Sequence, residues 1–409
     1  MMEEQKKSVD YKASLLGGIS EGVKYIGVDD LDIDLFEGQY DVPEGMSYNS
    51  YLILDEKTAV LDTADQRKSE EWQQNLTKAL EGRQVDYLIV HHMEPDHAAN
   101  IAYIASTYPE AKIVLSAAAS KMLPNFFPKA NFTDRLLIVK EGDTLSLGIH
   151  SLQFIAAPMV HWPEVLMSYE QNEKILFAAD GFGKFGALKY EKCNADGTLS
   201  DWACEARRYY FNICGKYGIQ VQNVLKKAAA LDIKTIAPLH GPVLTGDLTP
   251  FVNLYDTWSR YEPETPGVFV AYASIHGGTK VVAEKLVEML KARTEQKIAV
   301  TDLTREDQAE AIEDAFRYGR LVLLAATYDA GLFPPMHDFL YHLQIKNYQH
   351  RRFALVENGS WAPAAGKAMT EMIGQMKDCE IVAPIVTIRS RMKDSDLPQL
   401  EALADAILS

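Results

Sequence analysis

The hydrophobic and polar positions of the 409-residue chain follow two different patterns. From residue 268 onward, five apolar runs alternate with amphipathic stretches such as 280–292. The apolar runs are 268–274, 297–303, 320–327, 351–358 and 380–388. Strands that alternate with helices are typical of a doubly wound parallel sheet, so the pattern predicts an α/β domain over 268–409.

The pattern before residue 256 contains more strands and fewer regular helices. Residues 50–64 have two apolar runs around a polar turn, which predicts a β-hairpin, and 136–148 and 165–179 repeat that design. The pattern predicts a sheet-rich α+β domain over 1–255, with paired sheets and helices outside. The polar segment 256–267 contains two prolines and a final glycine, and we interpret it as a linker.

Charge, hydropathy and cysteine spacing limit the classes of protein to which the chain can belong. A formal net charge of −16 disfavours nucleic acid as a partner, because phosphates would be repelled. No window approaches the roughly 18 consecutive apolar residues that a membrane span requires. The N-terminus lacks the pattern of a signal peptide, which predicts a cytoplasmic location. The four cysteines form no C-x-x-C pair, which argues against a zinc ribbon or a cysteine-ligated iron–sulfur site.

A compact group of histidines and carboxylates follows the apolar run 85–90. It has the spacing H-x-E-x-D-H. Its members are His92, Glu94, Asp96 and His97. Three further candidates follow other apolar runs, and these are His161, Asp180 and His240. Strand ends would deliver all seven to one rim of the sheets, which is enough for two metal ions that share a bridging carboxylate.

The second half contains three loops that are suited to a phosphate and a planar ring. The first loop joins a strand to a helix and comprises Ser274, Ile275, His276, Gly277, Gly278 and Thr279. Backbone N–H groups and a helix N-terminus there can surround a phosphate. The loop matches neither nucleotide motif, G-x-x-x-x-G-K-[ST] or G-x-G-x-x-G. Later strand ends contribute Thr327, Tyr328, Asp329, Ala330 and Gly331, and then Asn358, Gly359, Ser360 and Trp361. Tyr328 or Trp361 could stack on a ring at the carboxyl ends of the strands.

Both halves resemble known folds. The first is similar to the metallo-β-lactamase fold, an αββα sandwich whose hydrolases bind two zinc ions through H-x-H-x-D-H and later ligands. Glu94 stands where those enzymes have their second histidine, and an anionic oxygen donor suits iron better than zinc. The second half resembles flavodoxin, which binds flavin mononucleotide (FMN).

A chain with these two halves in this order resembles the flavodiiron proteins, also called A-type flavoproteins. The resemblance covers nearly the entire chain. It implies that His92, Glu94 and His161 hold one iron, that Asp96, His97 and His240 hold the other, and that Asp180 bridges them. The family reduces dioxygen to water or nitric oxide to nitrous oxide with electrons that FMN relays, which protects against oxidative or nitrosative stress.

The resemblance also implies partners. Since the chain has no C-x-x-C pair for a fused rubredoxin, a separate electron donor is expected, either rubredoxin or a reduced deazaflavin. A head-to-tail homodimer or a dimer of dimers is expected. Tyr209 or Tyr210 is a candidate to direct a hydroxyl at the bound gas, whereas His91 has no assigned role. Two alternatives stay open: a di-zinc hydrolase with a flavodoxin-like domain, and an electron-transfer flavoprotein with a vestigial metal site.

Overall fold

The computed structural model describes residues 9–15, 18–193, 199 and 201–409. The chain divides into two compact units. Unit 1 comprises the described residues up to Tyr210 together with Ile219–Tyr255, and unit 2 comprises Phe211–Gly218 and Asp256–Ser409. None of the helices described is both long enough and apolar enough to cross a bilayer.

Unit 1 is built on two six-stranded sheets. Its strands are β1 (Val9–Asp10), β2 (Val23–Tyr25), β3 (Val28–Asp30), β4 (Leu35–Phe36), β5 (Tyr40–Asp41), β6 (Met46–Tyr48), β7 (Tyr51–Leu54), β8 (Thr58–Leu61), β9 (Tyr87–Ile89), β10 (Lys112–Ser116), β11 (Leu136–Val139), β12 (Thr144–Ser146), β13 (Ser151–Ala156), β14 (Leu166–Glu170), β15 (Ile175–Phe177), β16 (Lys192–Cys193), β17 (Thr235–Ala237) and β18 (Leu244–Thr245). The first sheet has the order β11-β10-β9-β8-β7-β2 and the second β12-β13-β14-β15-β17-β18. Three two-stranded ribbons, β1-β16, β3-β6 and β4-β5, complete the set described.

The described residues of the two units form thirteen α-helices. They are α1 (Tyr11–Leu15), α2 (Ser69–Leu80), α3 (Pro95–Ala98), α4 (Ile101–Thr107), α5 (Ala117–Phe126), α6 (Ala203–Ile213), α7 (Gly218–Ala228), α8 (Thr249–Ser259), α9 (Gly278–Lys291), α10 (Gln308–Arg317), α11 (Pro334–Ile345), α12 (Ala365–Ile373) and α13 (Leu397–Leu408). Short 3₁₀ helices cover Gln66–Lys68, Thr133–Arg135, Leu188–Tyr190, Gly215–Tyr217 and Asp394–Asp396.

The core of unit 1 lies between the two sheets. Tyr51 and Leu61 of the first sheet pack in one cluster with Phe154 and Phe177 of the second. Because side chains alternate along a strand, the neighbouring Leu52 faces the other side of the first sheet. It is fully buried as well, since α2 packs on β7 there. Unit 1 is therefore an αββα sandwich, as the sequence predicted.

Two of the three predicted hairpins are confirmed, and one prediction is wrong. Strands β7 and β8 pair antiparallel within 50–64, and β14 and β15 do so within 165–179. Within 136–148, however, β11 pairs with β10 in the first sheet, whereas β12 pairs with β13 in the second. The polar turn here carries the chain from one sheet to the other. The crossover has the same local pattern as a hairpin, and only packing of the whole sandwich decides between them.

Unit 2 is a doubly wound parallel sheet, as predicted. Its strands are β19 (Thr265–Ala273), β20 (Lys297–Asp302), β21 (Tyr318–Tyr328), β22 (Gly331–Leu332), β23 (Arg352–Asn358), β24 (Glu380–Ile381) and β25 (Val386–Ile388). The order β20-β19-β21-β23-β24 is parallel throughout, and β25 extends the pairing along β23. The strand predicted at 380–388 is split into β24 and β25. Pro384 lies in the gap, where it cannot donate a ladder hydrogen bond.

The segment interpreted as a linker is largely folded, so that interpretation is corrected. Residues 256–267 include the end of α8 and the start of β19. Unit 2 also includes 211–218, where the Phe211 ring stacks on Phe316 at 4.2 Å and Lys346 donates a hydrogen bond to the Asn212 carbonyl at 2.7 Å. The exact domain boundaries stay a prediction.

A histidine between two carboxylates ties together three turns of unit 1. His150 is buried, and its Nδ1 contacts Asp55 at 2.8 Å while its Nε2 contacts Glu173 at 3.0 Å. Burial alone would lower the pKa of His150, but the hydrogen bonds with Glu173 and Asp55 outweigh it and raise the pKa above its ordinary value. The protonated ring is therefore favoured by folding.

This arrangement gives a pH-dependent contribution to stability. Since the pKa is higher in the folded state, the stabilisation is complete below the unfolded pKa and is lost as pH rises through the folded pKa. We expect His150→Gln to lower the free energy of unfolding by about 1–3 kcal/mol at pH 6 and by less at pH 9. Urea titrations of the full chain measure both, with His350→Gln in unit 2 as the control. An equal loss at both pH values would contradict the prediction.

Candidate metal centre

Strand ends of unit 1 deliver the predicted ligands to one rim. Strand β9 ends at Ile89, and the chain then turns so that Pro95 opens the short helix α3, which carries Asp96 and His97. A loop after β13 carries His161. Asp180 follows β15 and His240 follows β17, and these two strands are parallel neighbours. The carboxyl ends of parallel strands lie at the same edge, which is why ligands far apart in sequence meet here.

The first group consists of His92, Glu94 and His161. Glu94 Oε2 lies 3.1 Å from Nε2 of His92 and 3.1 Å from Nε2 of His161. The two histidines are buried, and Glu94 is partly exposed. Both rings therefore present Nε2 to the same carboxylate oxygen.

The second group consists of Asp96, His97 and His240. The Nε2 atoms of the two histidines are 3.0 Å apart, and Asp96 Oδ2 lies 3.3 Å from each. Asn49 fixes the loop around His240, because its amide group donates to the carbonyls of Pro238 and Gly241.

Asp180 lies between the two groups. Its Oδ2 is 3.3 Å from Nε2 of both His92 and His161, and its Oδ1 is 3.3 Å from Nε2 of His97. One oxygen therefore faces each group. This is the position that a bridging carboxylate requires.

The pKa values of the ligand side chains show that the buried carboxylates of the rim stabilise positive charge beside them. Burial alone would raise the pKa of Asp180, but the charge on His92 and the neighbouring rings of His161 and His97 hold the pKa well below its usual range. Burial likewise opposes ionisation of Glu94, yet hydrogen bonds with His161 and His92 lower its pKa to about 2. Burial alone would lower the pKa of His161, but the neighbouring carboxylates of Asp180 and Glu94 raise it to about 9.

The donor atoms fit two metal ions. Two ligands that each lie roughly 2.0–2.2 Å from one ion are separated by roughly 3.0–3.5 Å, which matches the spacings here. Both carboxylate oxygens of Asp96 and of Asp180 are buried, and none has a hydrogen-bond partner among the described residues. Buried oxygens of this kind are costly unless a cation satisfies them. All seven ligands predicted from the sequence thus lie in two adjoining clusters that could each hold an ion.

Outer partners orient two of the four rings. His92 Nδ1 lies 2.8 Å from the buried carboxylate of Glu164, and His240 Nδ1 lies 2.7 Å from the Ser47 carbonyl. An oxygen acceptor at Nδ1 requires the proton to be there, so Nε2 keeps its lone pair for a metal. Neither partner was predicted from the sequence. A glutamate three residues after His161 was the only available signal for Glu164.

His91, which had no assigned role, supports the ligand loop. Its Nδ1 contacts the Asp62 carboxylate, and its Nε2 lies 2.8 Å from the Ser168 hydroxyl. The other oxygen of Asp62 accepts from the backbone N–H of His91 at 2.8 Å. All three side chains are buried, so they anchor the start of the loop to both sheets.

Aromatic rings enclose the rim. Trp162 packs edge-on against His92 at 5.2 Å, and Phe36 packs against His240 at 5.4 Å. Tyr209 lies beside the same histidine at 5.5 Å. Tyr210 packs against Tyr255 instead, because consecutive helical residues point about 100° apart. The structure therefore brings only the first of the two candidate tyrosines next to a ligand ring.

The three predicted flavin loops lie at the carboxyl ends of β19, β21 and β23 in unit 2. Gly277 has φ of 83° and precedes α9, whose first N–H groups have no carbonyl partner within the helix. Ser274 Oγ accepts from the N–H of Lys280 at 3.3 Å. Thr279 is buried, whereas Ile275 and His276 are exposed. The helix N-terminus is therefore open to an anion.

The second loop is a tight turn. Asp329 and Ala330 have positive φ, and Gly331 begins β22, which folds back on β21. Thr327 Oγ1 accepts from the N–H of Ala364, so its hydroxyl oxygen supports the neighbouring loop. Tyr328 stands at the edge with 46% of its surface exposed.

The third loop is held in place by Ser390, which was not predicted from the sequence. Asn358 exchanges two hydrogen bonds with the backbone of Ser390, and Ser360 contacts the Ser390 hydroxyl. A Cβ at Gly278 would lie 2.5 Å from the Ser390 carbonyl, so glycine allows this close approach. Gly359 precedes Trp361, which is 88% exposed and presents an uncovered aromatic face. Such a face suits a stacked planar ring.

The chain is similar to known proteins along most of its length. The model of a family described as ODP family beta lactamase matches residues 46–241. A nitric oxide reductase from Moorella thermoacetica is 30% identical over 402 residues, which covers 95% of this chain and 97% of that protein. An anaerobic nitric oxide reductase flavorubredoxin from Shigella flexneri is 27% identical over 369 residues, or 88% of this chain and 75% of that protein.

Solved structures show the same fold. Rubredoxin oxygen:oxidoreductase from Desulfovibrio gigas superposes with a TM-score of 0.88 at 23% identity, covering 98% of both chains. The flavodiiron protein from Giardia intestinalis superposes with a TM-score of 0.85 at 24% identity, covering 95% of both chains. With a full-length relative at 30% identity and this fold, the chain belongs to the flavodiiron protein family.

Proposed function

We propose that this protein is an oxidoreductase that reduces nitric oxide to nitrous oxide, dioxygen to water, or both. The observation that carries the proposal is the placement of Asp180, with one oxygen facing each of two ligand clusters. The relatives named nitric oxide reductase and rubredoxin oxygen:oxidoreductase support the choice of substrates.

The proposed metal is iron. His92, Glu94 and His161 would hold one ion, Asp96, His97 and His240 the other, and Asp180 both. When bound, two ferrous ions would supply two of the electrons that reduction of a diatomic gas requires. Three carboxylates in the set favour a harder ion with an accessible trivalent state.

Residues of the chain itself orient the ligand rings and exclude water from the rim. Acceptors at Nδ1 of His92 and His240 keep their Nε2 lone pairs aimed at the rim. Trp162, Phe36 and Tyr209 pack on the ligand rings and limit the access of bulk water. A dry pocket strengthens every electrostatic interaction within it.

The proposed second cofactor is FMN in unit 2. Its phosphate would bind at the N-terminus of α9, and its ring would stack on Trp361 or Tyr328. Open first-turn N–H groups and two exposed aromatics at one sheet edge support this site. When bound, FMN would supply the electrons for the reduction, and the proposed electron donor is a separate molecule, rubredoxin or a reduced deazaflavin. We propose a head-to-tail homodimer as the working unit.

Steady-state measurements test the proposal. Purified protein with a supplied reductant is expected to consume nitric oxide, dioxygen or both, and to contain close to two irons and one FMN per chain. Hydrolysis by a colourless, zinc-loaded protein would favour the di-zinc hydrolase. Full reduction of the flavin with no consumption of either gas would favour an electron-transfer flavoprotein.

A matched pair of glycine variants tests the FMN site. Gly277 and Gly82 have φ of 83° and 86°, and a Cβ at either would meet no atom within 4 Å. Valine at either position therefore costs similar backbone strain, about 1–2 kcal/mol. We expect Gly277→Val to lose most of its FMN, because its loop must approach the phosphate closely, whereas Gly82→Val keeps it. Flavin absorbance after desalting measures the result. Equal retention in both variants would place the phosphate elsewhere.

A further inference from the structure

Glu164 stands out among the buried acids of unit 1. Its side chain is fully buried, and its Oε1 accepts two hydrogen bonds, from His92 Nδ1 at 2.8 Å and from the backbone N–H of Met93 at 2.9 Å. Its Oε2 is also buried and has no hydrogen-bond partner among the described residues. Burying a carboxylate costs free energy unless it is paired, and the partner here is the His92 ring.

Both rings of the second cluster have weaker partners or none. His240 Nδ1 contacts a neutral carbonyl, that of Ser47, and His97 Nδ1 is buried without a hydrogen-bond partner in the described part of the chain. A carboxylate at Nδ1 both fixes the tautomer of an imidazole and raises its basicity as a ligand. The two clusters therefore differ in donor strength, although each contains two histidines.

We propose that Glu164 is a positioning residue for His92 and makes the cluster of His92, Glu94 and His161 the tighter of the two iron sites. The Glu164 carboxylate holds the Nδ1 proton, so Nε2 of His92 faces Glu94 and Asp180 with its lone pair. The hydrogen bond from Met93 fixes the same oxygen to the ligand loop. Ser116 joins this arrangement to α5, because its hydroxyl donates to the Glu164 carbonyl and accepts from the N–H of Ala119.

The inference rests on the proposed function only in that the site holds two ions, and it is tested without any gas. Ferrous protein is mixed with a coloured iron chelator, and iron release is followed with time. Wild type is expected to release one iron quickly and one slowly. Glu164→Leu removes the acceptor and is expected to accelerate the slow phase by about 10–100-fold. Glu164→Gln keeps a carbonyl oxygen for Nδ1 and is expected to accelerate it less.

Glu170→Gln is the matched control. Glu170 is an equally buried carboxylate of the same unit, and it accepts from the backbone N–H groups of Ser151, Asn172 and Glu173. We expect this variant to unfold at a lower temperature while its iron release stays as in wild type. A purely structural role for Glu164 would make its variants resemble this control or accelerate both phases equally.

A second measurement covers the case in which Glu164→Leu does not fold. With zinc in both sites as a diamagnetic probe, the proton on His92 Nδ1 is expected to resonate at lower field than those of the other ligand histidines. It should move upfield in Glu164→Gln and stay in place in Glu170→Gln. An unmoved signal, or a slow phase within twofold of wild type in Glu164→Leu, overturns the inference. Wild type without iron would instead count against the proposed function.

Discussion

Asp180→Asn is expected to lose most of its iron and nearly all reduction of either gas. A neutral amide bridges two cations poorly, and the substitution removes the charge that both clusters share. The loss of activity should exceed the roughly 10–100-fold that is typical for an outer-shell partner. Iron analysis of wild type and variant, together with nitric oxide and dioxygen consumption, measures both effects.

The control for this substitution is Asp232→Asn. Asp232 is an exposed carboxylate of unit 1 that pairs with Lys174 and Lys234, and it lies outside the ligand clusters. Its variant should keep wild-type iron and activity. Retention of two irons in Asp180→Asn would contradict the bridging role. Abundant zinc with little iron in wild type, grown with both metals, would contradict the choice of iron.

Mixing two inactive variants is expected to restore activity if electrons cross between chains. One parent lacks iron (His92→Ala with His97→Ala), and the other lacks flavin (Gly277→Val). Electron transfer falls steeply with distance, and a symmetric dimer can place the flavin of each chain near the irons of its partner through one interface used twice. After random reassociation, half of the dimers are mixed and each has one working pair. We therefore expect about a quarter of wild-type activity.

Each parent must be shown to keep its remaining cofactor, and mixed dimers must be isolated by two different affinity tags. Each parent alone should be inactive. Mixed dimers that hold one flavin and one pair of irons yet reduce neither gas would argue decisively against transfer between chains.

The grouping of the seven candidate ligands was predictable because their signal is concentrated. Four lie within six residues after a buried strand, and the other three each follow an apolar run. The periodicity of 268–409 was likewise sufficient for the parallel sheet. Such features depend on local sequence and on the rule that parallel strands end at one edge.

The features that could not be predicted from the sequence depend on how distant segments pack. Glu164 gains its role only because its loop returns to His92, and Ser390 only because β25 pairs beside β23. The pattern at 136–148 is shared by a hairpin and a crossover, and the sandwich selects the second. Tyr209 and Tyr210 are adjacent residues of the same type, so the sequence cannot distinguish them. The orientation of α6 does.

Because the rim is assembled from four separate loops, the proposed ions would link the metal supply to the stability of unit 1. An unfolded chain separates residues 92 and 240 and cannot form the same site, so the proposed ions would bind the folded state preferentially. Such a ligand stabilises by about 2.7 kcal/mol when it is present at a hundredfold excess over its dissociation constant. In cells that lack iron, proteases would meet the unfolded chain more often. The amount of this protein should then follow iron availability even when its synthesis is constant.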